Sequence, residues 1–328
     1  MINMEKTDTI GTIEKIGIIP VIKIDDAQNA VPLARALADG GIPCVEITFR
    51  TSAGEESIRR IAREVPGILV GAGTVLSIAQ ADRAISAGAQ FIVSPGLNPS
   101  VVAHCIEKGV PIIPGCSNPS DIERAMEFGL DRVKFFPAEQ AGGLEYIRAI
   151  SEPYPSVKFI PSGGINGQNI RRYIAFEKIL ACGGSWMAPA ELINTGNFEK
   201  ISMLAREAVL NMLGLYPVHI GINAGTEEAA VKAANFLSSV FGFSLKDGTV
   251  SVFAGDGIEL MKQQGTGTHG HIAMGTASIL RAQAYMERCG LELDYHNARK
   301  DSKGNISLIY LKEEILGFAV HLVQYNSV

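Results

Sequence analysis

The sequence predicts an α/β protein: a (βα)8 TIM barrel over residues 1–213, followed by a smaller α+β domain of two βαβββ modules over 218–328. Three observations lead there. From Ile18 to about Met187 a short apolar run alternates with a longer amphipathic segment, at a steady pitch of about 20–26 residues. The apolar runs are rich in β-branched residues and nearly continuous, as parallel strands buried on both faces are. Beyond residue 214 the pattern changes to a second repeat, in which one helix is followed by three short strands.

The eight strand candidates, in order, are IIPVI (18–22), CVEITF (44–49), ILVGAG (68–73), FIVSPG (91–96), PIIPGC (111–116), VKFFPA (133–138), KFIPSG (158–163) and KILACGG (178–184). The segments between them read as helices. Pro32 to Ala38 runs into Gly40-Gly41, and the segments 78–87, 101–108 and 121–128 run into Gly88, Gly109 and Gly129, where a left-handed helix terminus is expected. Eight such units in about 200 residues favour a closed barrel, with an open doubly wound sheet as the alternative. The segment 198–214 reads as the barrel's last helix and Leu215-Tyr216-Pro217 as a link. Then VHIGI (218–222) and HIAMG (271–275) each open a module, with helices over 226–241 and 278–289 and closing strands at 257–263 and 318–324.

Composition narrows the function classes. Hydrophobic residues make up 47% of the chain and charged residues 19%, enough for a large core, and the formal charge of −5 argues against a nucleic-acid surface. The five cysteines (Cys44, Cys105, Cys116, Cys182, Cys289) are scattered, odd in number and without a Cys-x-x-Cys, which fits reduced thiols in a cytoplasm. No basic segment leads into an apolar one at the start, and no apolar run reaches membrane-spanning length, so a cytoplasmic protein with no membrane partner is expected.

Barrel chemistry gathers at the C-terminal ends of the strands. Lys134 stands there inside an apolar strand, ahead of Phe135 and Phe136. An ordinary lysine amine is only about 0.04% neutral at pH 7, and apolar surroundings favour the neutral, nucleophilic form. The competing reading is an ion-paired or solvent-reaching strand-end lysine. Glu46 lies between Val45 and Ile47 and shares one strand side with Thr48 and Arg50. It suits a proton shuttle beside the lysine, or alternatively a structural pair with Arg50. Two glycine turns, Ser162-Gly163-Gly164 and Gly183-Gly184-Ser185, follow strands seven and eight, the usual phosphate position of such a barrel. The barrel segment has one histidine, His104, so a histidine-built metal site is not expected in it.

With these residues in place, the first 213 or so residues closely resemble the 2-dehydro-3-deoxy-6-phosphogluconate aldolase / 4-hydroxy-2-oxoglutarate aldolase family of class I, Schiff-base enzymes. The motifs VEITFRT (45–51), VGAGTV (70–75), SPG (94–96), VKFFPAE (133–139), PSGGI (161–165) and GGSW (183–186) stand in the family's order. The resemblance implies Lys134 as the Schiff-base lysine and Glu46 as general acid/base. It implies Arg50 and Thr74 on the pyruvyl carboxylate, with Pro95 and Phe136 lining the pocket. Ser162, Gly163, Gly164, Gly184 and Ser185 fall on the phosphate cradle, Ser162 replacing the usual threonine. It further implies no cofactor, a phosphorylated 2-keto acid as substrate, a homotrimer, and a place in the Entner–Doudoroff pathway. The alternatives are a non-covalent phosphate-binding barrel enzyme, such as a sugar-phosphate epimerase or synthase, and a small-molecule binding module in the C-terminal domain with the barrel as passenger.

The C-terminal repeat resembles the vicinal-oxygen-chelate (glyoxalase/bleomycin-resistance-like) fold in topology and spacing. Superimposing its modules pairs His219 with His271 and Glu259 with His321. In metal-binding members of that fold the ligands come from these strand positions, so the four residues could hold one divalent ion. Otherwise they are strand histidines satisfied by neighbours, in a domain kept for sensing or assembly.

Overall fold

The structure, a computed structural model, describes residues 8–325 and divides after Met212 into two compact units. In the first, α1 (Thr9–Ile16) is capped by the Asp8 carboxylate and ended by left-handed Gly17. The eight strands follow: β1 (Ile18–Ile22), β2 (Cys44–Thr48), β3 (Leu69–Gly73), β4 (Phe91–Val93), β5 (Ile112–Ile113), β6 (Arg132–Phe135), β7 (Lys158–Pro161) and β8 (Cys182–Gly184). Between them run α2 (Ala30–Asp39), α3 (Gly54–Glu64), α4 (Ile78–Ser86), α5 (Pro99–Glu107), α6 (Pro119–Glu127), α7 (Gly143–Ser151) and α8 (Ile170–Ile174). Two further helices, α9 (Ala190–Asn194) and α10 (Phe198–Leu213), complete the unit's sequence.

Five strand pairings link β5-β4-β3-β2-β1-β8 into a parallel sheet, and β6 pairs with β7. Single bridges close the gaps, Gly115 with Lys134 between β5 and β6, and Ser162 with Gly183 between β7 and β8. The strands therefore follow one another around a complete ring. Ser77, Asn98 and Asn118 cap α4, α5 and α6 with side-chain oxygens, and proline occupies the first turn of α5 and α6, where a missing N–H costs nothing. Gly88, Gly109 and Gly129 have φ of 101°, 69° and 73°, the left-handed exits expected of them. The core is the set of strand residues such as Ile22, Val45, Ile47, Phe91, Phe135 and Phe159, all fully buried. Each contributes about 1.5–3 kcal/mol by leaving water.

The second unit holds β9 (Tyr216–Asn223), α11 (Glu227–Phe241), β10 (Leu245–Asp247), β11 (Ser251–Ala254) and β12 (Ile258–Met261). The same order then recurs as β13 (Gly270–Thr276), α12 (Ile279–Arg288), β14 (Arg299–Lys300), β15 (Ile306–Ile315) and β16 (Phe318–Gln324). Both modules are βαβββ, and their strands form one eight-stranded sheet, β10-β11-β12-β9-β13-β16-β15-β14, with the two opening strands antiparallel at its centre. Ala230 and Ala234 of α11 pack on Val252 and Leu260, which gives one face of the sheet an apolar cover. On the other face, strand register sets His219 opposite Ala273, Gly221 opposite both His271 and Glu259, and Ala273 opposite His321.

The expected link is one place where the structure differs. Tyr216 and Pro217 already belong to β9 and pair with Gly275 and Met274. Proline is tolerated because β12 pairs with β9 only from Ile220 onward, and a bulge at Ala273/Met274 loosens the other ladder.

Candidate active site

Glu46 and Lys134 come from β2 and β6, four places apart around the ring, and meet inside it. Lys134 Nζ stands 3.8 Å from Glu46 Oε1. Both residues are buried, at 8% and 3% exposure, so this is neither a solvent-reaching lysine nor a surface pair. Glu46 Oε1 accepts no hydrogen bond although it is buried. An unsatisfied buried acceptor costs about 1–3 kcal/mol, which suits a group held ready for a proton and not one spent on structure. The lysine backbone is pinned on both sides, donating from its N–H to Pro114 O at 2.9 Å and accepting from Cys116 N–H at 2.8 Å. Its Nζ lies over the Phe136 ring, 5.5 Å from the ring centroid.

The neighbouring strand ends shape the space. Gly73 leaves room for the carboxylate: a Cβ there would lie 2.0 Å from Glu46 Oε1. Thr74, next in the chain, takes the left-handed φ of 58° that only a strongly held non-glycine residue keeps. Thr48 donates its hydroxyl to Ile22 O at 3.0 Å and accepts from Arg50 Nε at 3.1 Å. Arg50 is thus oriented by Thr48 and not by a pair with Glu46. Pro95 and Phe136 are exposed at their loop positions, and Gly115 is required because a Cβ would strike Pro95 O at 2.0 Å.

The turn after β7, where the expected phosphate cradle falls, is tied down through its backbone. Its three successive carbonyls are all engaged. Ala138 N–H donates to Ser162 O at 2.8 Å and Glu139 N–H to Gly163 O at 3.1 Å. The Asn166 and Asn169 amides donate to Gly164 O at 3.3 and 3.0 Å. In a trans peptide C=O and N–H point opposite ways, so anchoring these carbonyls turns the Gly163 N–H toward β8, where Ser162 bridges to Gly183, and turns the N–H groups of Gly164 and Ile165 away from the groups that hold the carbonyls. Gly163 and Gly164 hold the turn at φ of 98° and 80°. Gly183 packs beside Ser162, while a Cβ on Gly184 would meet the Trp186 ring at 2.1 Å; Ser185 is exposed beyond it. The anchoring roles of Ala138, Glu139, Asn166 and Asn169 were not legible from the sequence. The Asn166/Asn169 spacing is the one local signal, since such side chains commonly bond nearby backbone.

In the second unit, three of the four expected ligands converge. His219 Nε2 and His271 Nε2 are 3.1 Å apart, and Glu259 Oε2 lies 3.2 and 3.0 Å from them. Among the described residues these three form a group close enough to share one metal ion. Three donors in so small a triangle can all stand about 2.1 Å from one point, the usual distance to a first-row metal. Burial raises the Glu259 carboxyl, yet hydrogen bonds with His219, His271 and Ser251 more than offset that and hold it well below the usual carboxylate range. His321 packs beside the triangle without joining it, its ring 5.2 Å from that of His271, 6.0 Å from that of His219 and 4.8 Å from that of Tyr310. Burial, then the neighbouring histidines, push its imidazole down to about 3. The four-ligand expectation becomes a three-donor arrangement with His321 alongside.

Known proteins resemble the barrel unit. The model of the KDPG and KHG aldolase family matches residues 10–204. The 2-dehydro-3-deoxy-phosphogluconate aldolase of Treponema pallidum is 51% identical over 197 residues, which cover 60% of this chain and 94% of that protein. The KHG/KDPG aldolase of Escherichia coli K12 is 44% identical over 192 residues, 58% of this chain and 90% of that protein. A crystal structure of KDPG aldolase from Legionella pneumophila, with pyruvate captured as a covalent carbinolamine intermediate, matches with a TM-score of 0.60 at 36% identity. It covers 62% of this chain and 99% of that one. The motif order, the ring of eight strands with its buried amine and carboxylate, and these matches agree: the chain belongs to the KDPG and KHG aldolase family.

Proposed function

We propose that the barrel is a class I aldolase that cleaves 2-dehydro-3-deoxy-6-phosphogluconate to pyruvate and glyceraldehyde 3-phosphate, and 4-hydroxy-2-oxoglutarate to pyruvate and glyoxylate. The observation that carries this reading is the buried approach of Lys134 Nζ to Glu46 Oε1 at 3.8 Å. Neutral Lys134 attacks the C2 carbonyl and gives a carbinolamine, which loses water to form an iminium. Glu46 removes the C4 hydroxyl proton. The C3–C4 bond breaks, its electron pair passes into the iminium to give an enamine, and the aldehyde departs. Protonation at C3 and hydrolysis then release pyruvate and restore the amine. Arg50 and Thr74 hold the carboxylate, Pro95 and Phe136 line the pocket, and Ser162, Gly163, Gly164, Gly184 and Ser185 receive the distal phosphate through backbone N–H groups and hydroxyls.

The test is pyruvate release from each substrate by the purified chain, read by coupled reduction of pyruvate to lactate. Release from both supports the proposal. No release from either, with the protein folded, contradicts it and favours a non-covalent phosphate-barrel enzyme. We also propose that the chain works in the cytoplasm as a homotrimer. No helix among the described residues is long and apolar enough to cross a membrane, and the cysteines are free thiols.

A second reading is favoured by the triangle of His219, Glu259 and His271. We propose that residues 218–328 form a glyoxalase-like domain that holds one divalent metal ion on these three side chains, a two-histidine, one-carboxylate set suited to a first-row transition metal. The full chain, equilibrated with Ni(II) or Zn(II) and desalted, should retain about one equivalent per chain, lost in a folded His271→Ala variant. A folded wild-type chain that retains no metal would contradict it.

A further inference from the structure

Glu139 closes the VKFFPAE motif, and neither the nucleophile nor the proton shuttle uses it. It opens a single 3-10 turn, Glu139–Ala141, just past β6. Its carboxylate accepts hydrogen bonds from the Tyr173 hydroxyl and from Arg172 Nη2, the latter at 3.2 and 3.3 Å. Both donors lie on α8, the helix that follows the glycine turn after β7. Tyr173 is completely buried, so its hydroxyl has nowhere else to turn, and burial followed by the bond to Glu139 raises its ionisation above the ordinary phenol value.

The position of Glu139 matters more than its charge. The same residue's N–H donates to Gly163 O, and the preceding N–H donates to Ser162 O. Those two bonds fix the peptide planes on either side of Gly163, and with them the direction of the Gly164 N–H. The Glu139 side chain also lies flat on the turn: a Cβ on Gly164 would come 2.6 Å from Glu139 Cβ. One residue thus joins three pieces, the strand end that carries Lys134, the glycine turn, and α8.

We propose that Glu139, clamped by Tyr173 and Arg172, is a positioning residue that sets the anion nest of Ser162-Gly163-Gly164 and so decides the preference for phosphorylated over unphosphorylated substrate. This rests on the reading of that turn as the phosphate cradle. Without the carboxylate the short turn is released from α8, its two backbone donors lose their fixed direction, and the nest loosens. Lys134 is held separately, through Pro114 and Cys116, so Schiff-base chemistry does not depend on the clamp.

Steady-state kinetics of the full chain with 2-dehydro-3-deoxy-6-phosphogluconate and with unphosphorylated 4-hydroxy-2-oxoglutarate test it. Glu139→Ala should raise KM for the phosphorylated substrate about tenfold, and leave its kcat and both constants for the unphosphorylated one within about twofold. Tyr173→Phe should move the same constant the same way by less. Glu139→Gln, which keeps an acceptor for Tyr173, should recover most of the loss. A merely structural role would shift both substrates together, and such a parallel shift, or no shift in any variant, overturns the inference. A wild-type chain with no preference for the phosphorylated substrate would instead remove the cradle reading, and the inference with it.

Discussion

A carboxylate that meets an amine across the inside of a barrel needs empty volume behind it, and Gly73 provides that volume. Alanine there would set a methyl 2.0 Å from Glu46 Oε1 and 2.7 Å from its Cδ and Cγ, so the carboxylate must swing away. A shift of that size in a catalytic group costs on the order of 100-fold in rate, and the overpacking costs about 1–3 kcal/mol of stability. Gly73→Ala should therefore lower kcat for both substrates about 100-fold while the chain still folds, as paired kinetics and thermal unfolding would record. An unchanged kcat would mean that Glu46 does not act from this position. Single residues were legible where they break a local rule. Lys134 and Glu46 stood out because charged groups inside apolar strands are costly. Glu139 breaks none: at the end of a motif it looks like an ordinary surface acid, and its partners on α8 lie more than thirty residues downstream.

At the scale of elements, helix exits are legible in the sequence, while helix starts and strand ends are less so. Exit glycines are local devices, and Gly88, Gly109 and Gly129 stand just past α4, α5 and α6 as expected; the starts are set by caps and first-turn prolines, so α5 and α6 begin at Pro99 and Pro119, two residues ahead of the expected 101 and 121. Strand length depends on partners. The runs FIVSPG and PIIPGC each suggested six residues, but β4 keeps Phe91–Val93 and β5 only Ile112–Ile113. Proline at 95 and 114 has no N–H to give the ladder, and Gly115 is drawn against Pro95 O. Strand pairing stops where the loops that face the amine and carboxylate begin. Pro217 shows the reverse error. Expected in the link, it lies inside β9 because the neighbouring strand β12 has not yet started to pair there.

At the scale of the whole chain, periodicity carried most of the architecture. A parallel ring and a twofold βαβββ repeat differ in the order of their elements, and that order is written in the hydrophobic pattern. The distances between distant strands are not. Sequence spacing set His219, Glu259, His271 and His321 in equivalent positions, and only the packed sheet separates the three donors that converge from the histidine that stands aside. The barrel's central claim is the covalent one, that Lys134 bonds to the 2-keto carbon of its substrate. Incubation of the full chain with pyruvate and borohydride, followed by intact mass and peptide mapping, tests it most directly. One reduced pyruvyl group per chain is expected, located on Lys134 and missing from a folded Lys134→Met variant. A folded wild-type chain that gains no mass, or gains it at another lysine, would contradict it.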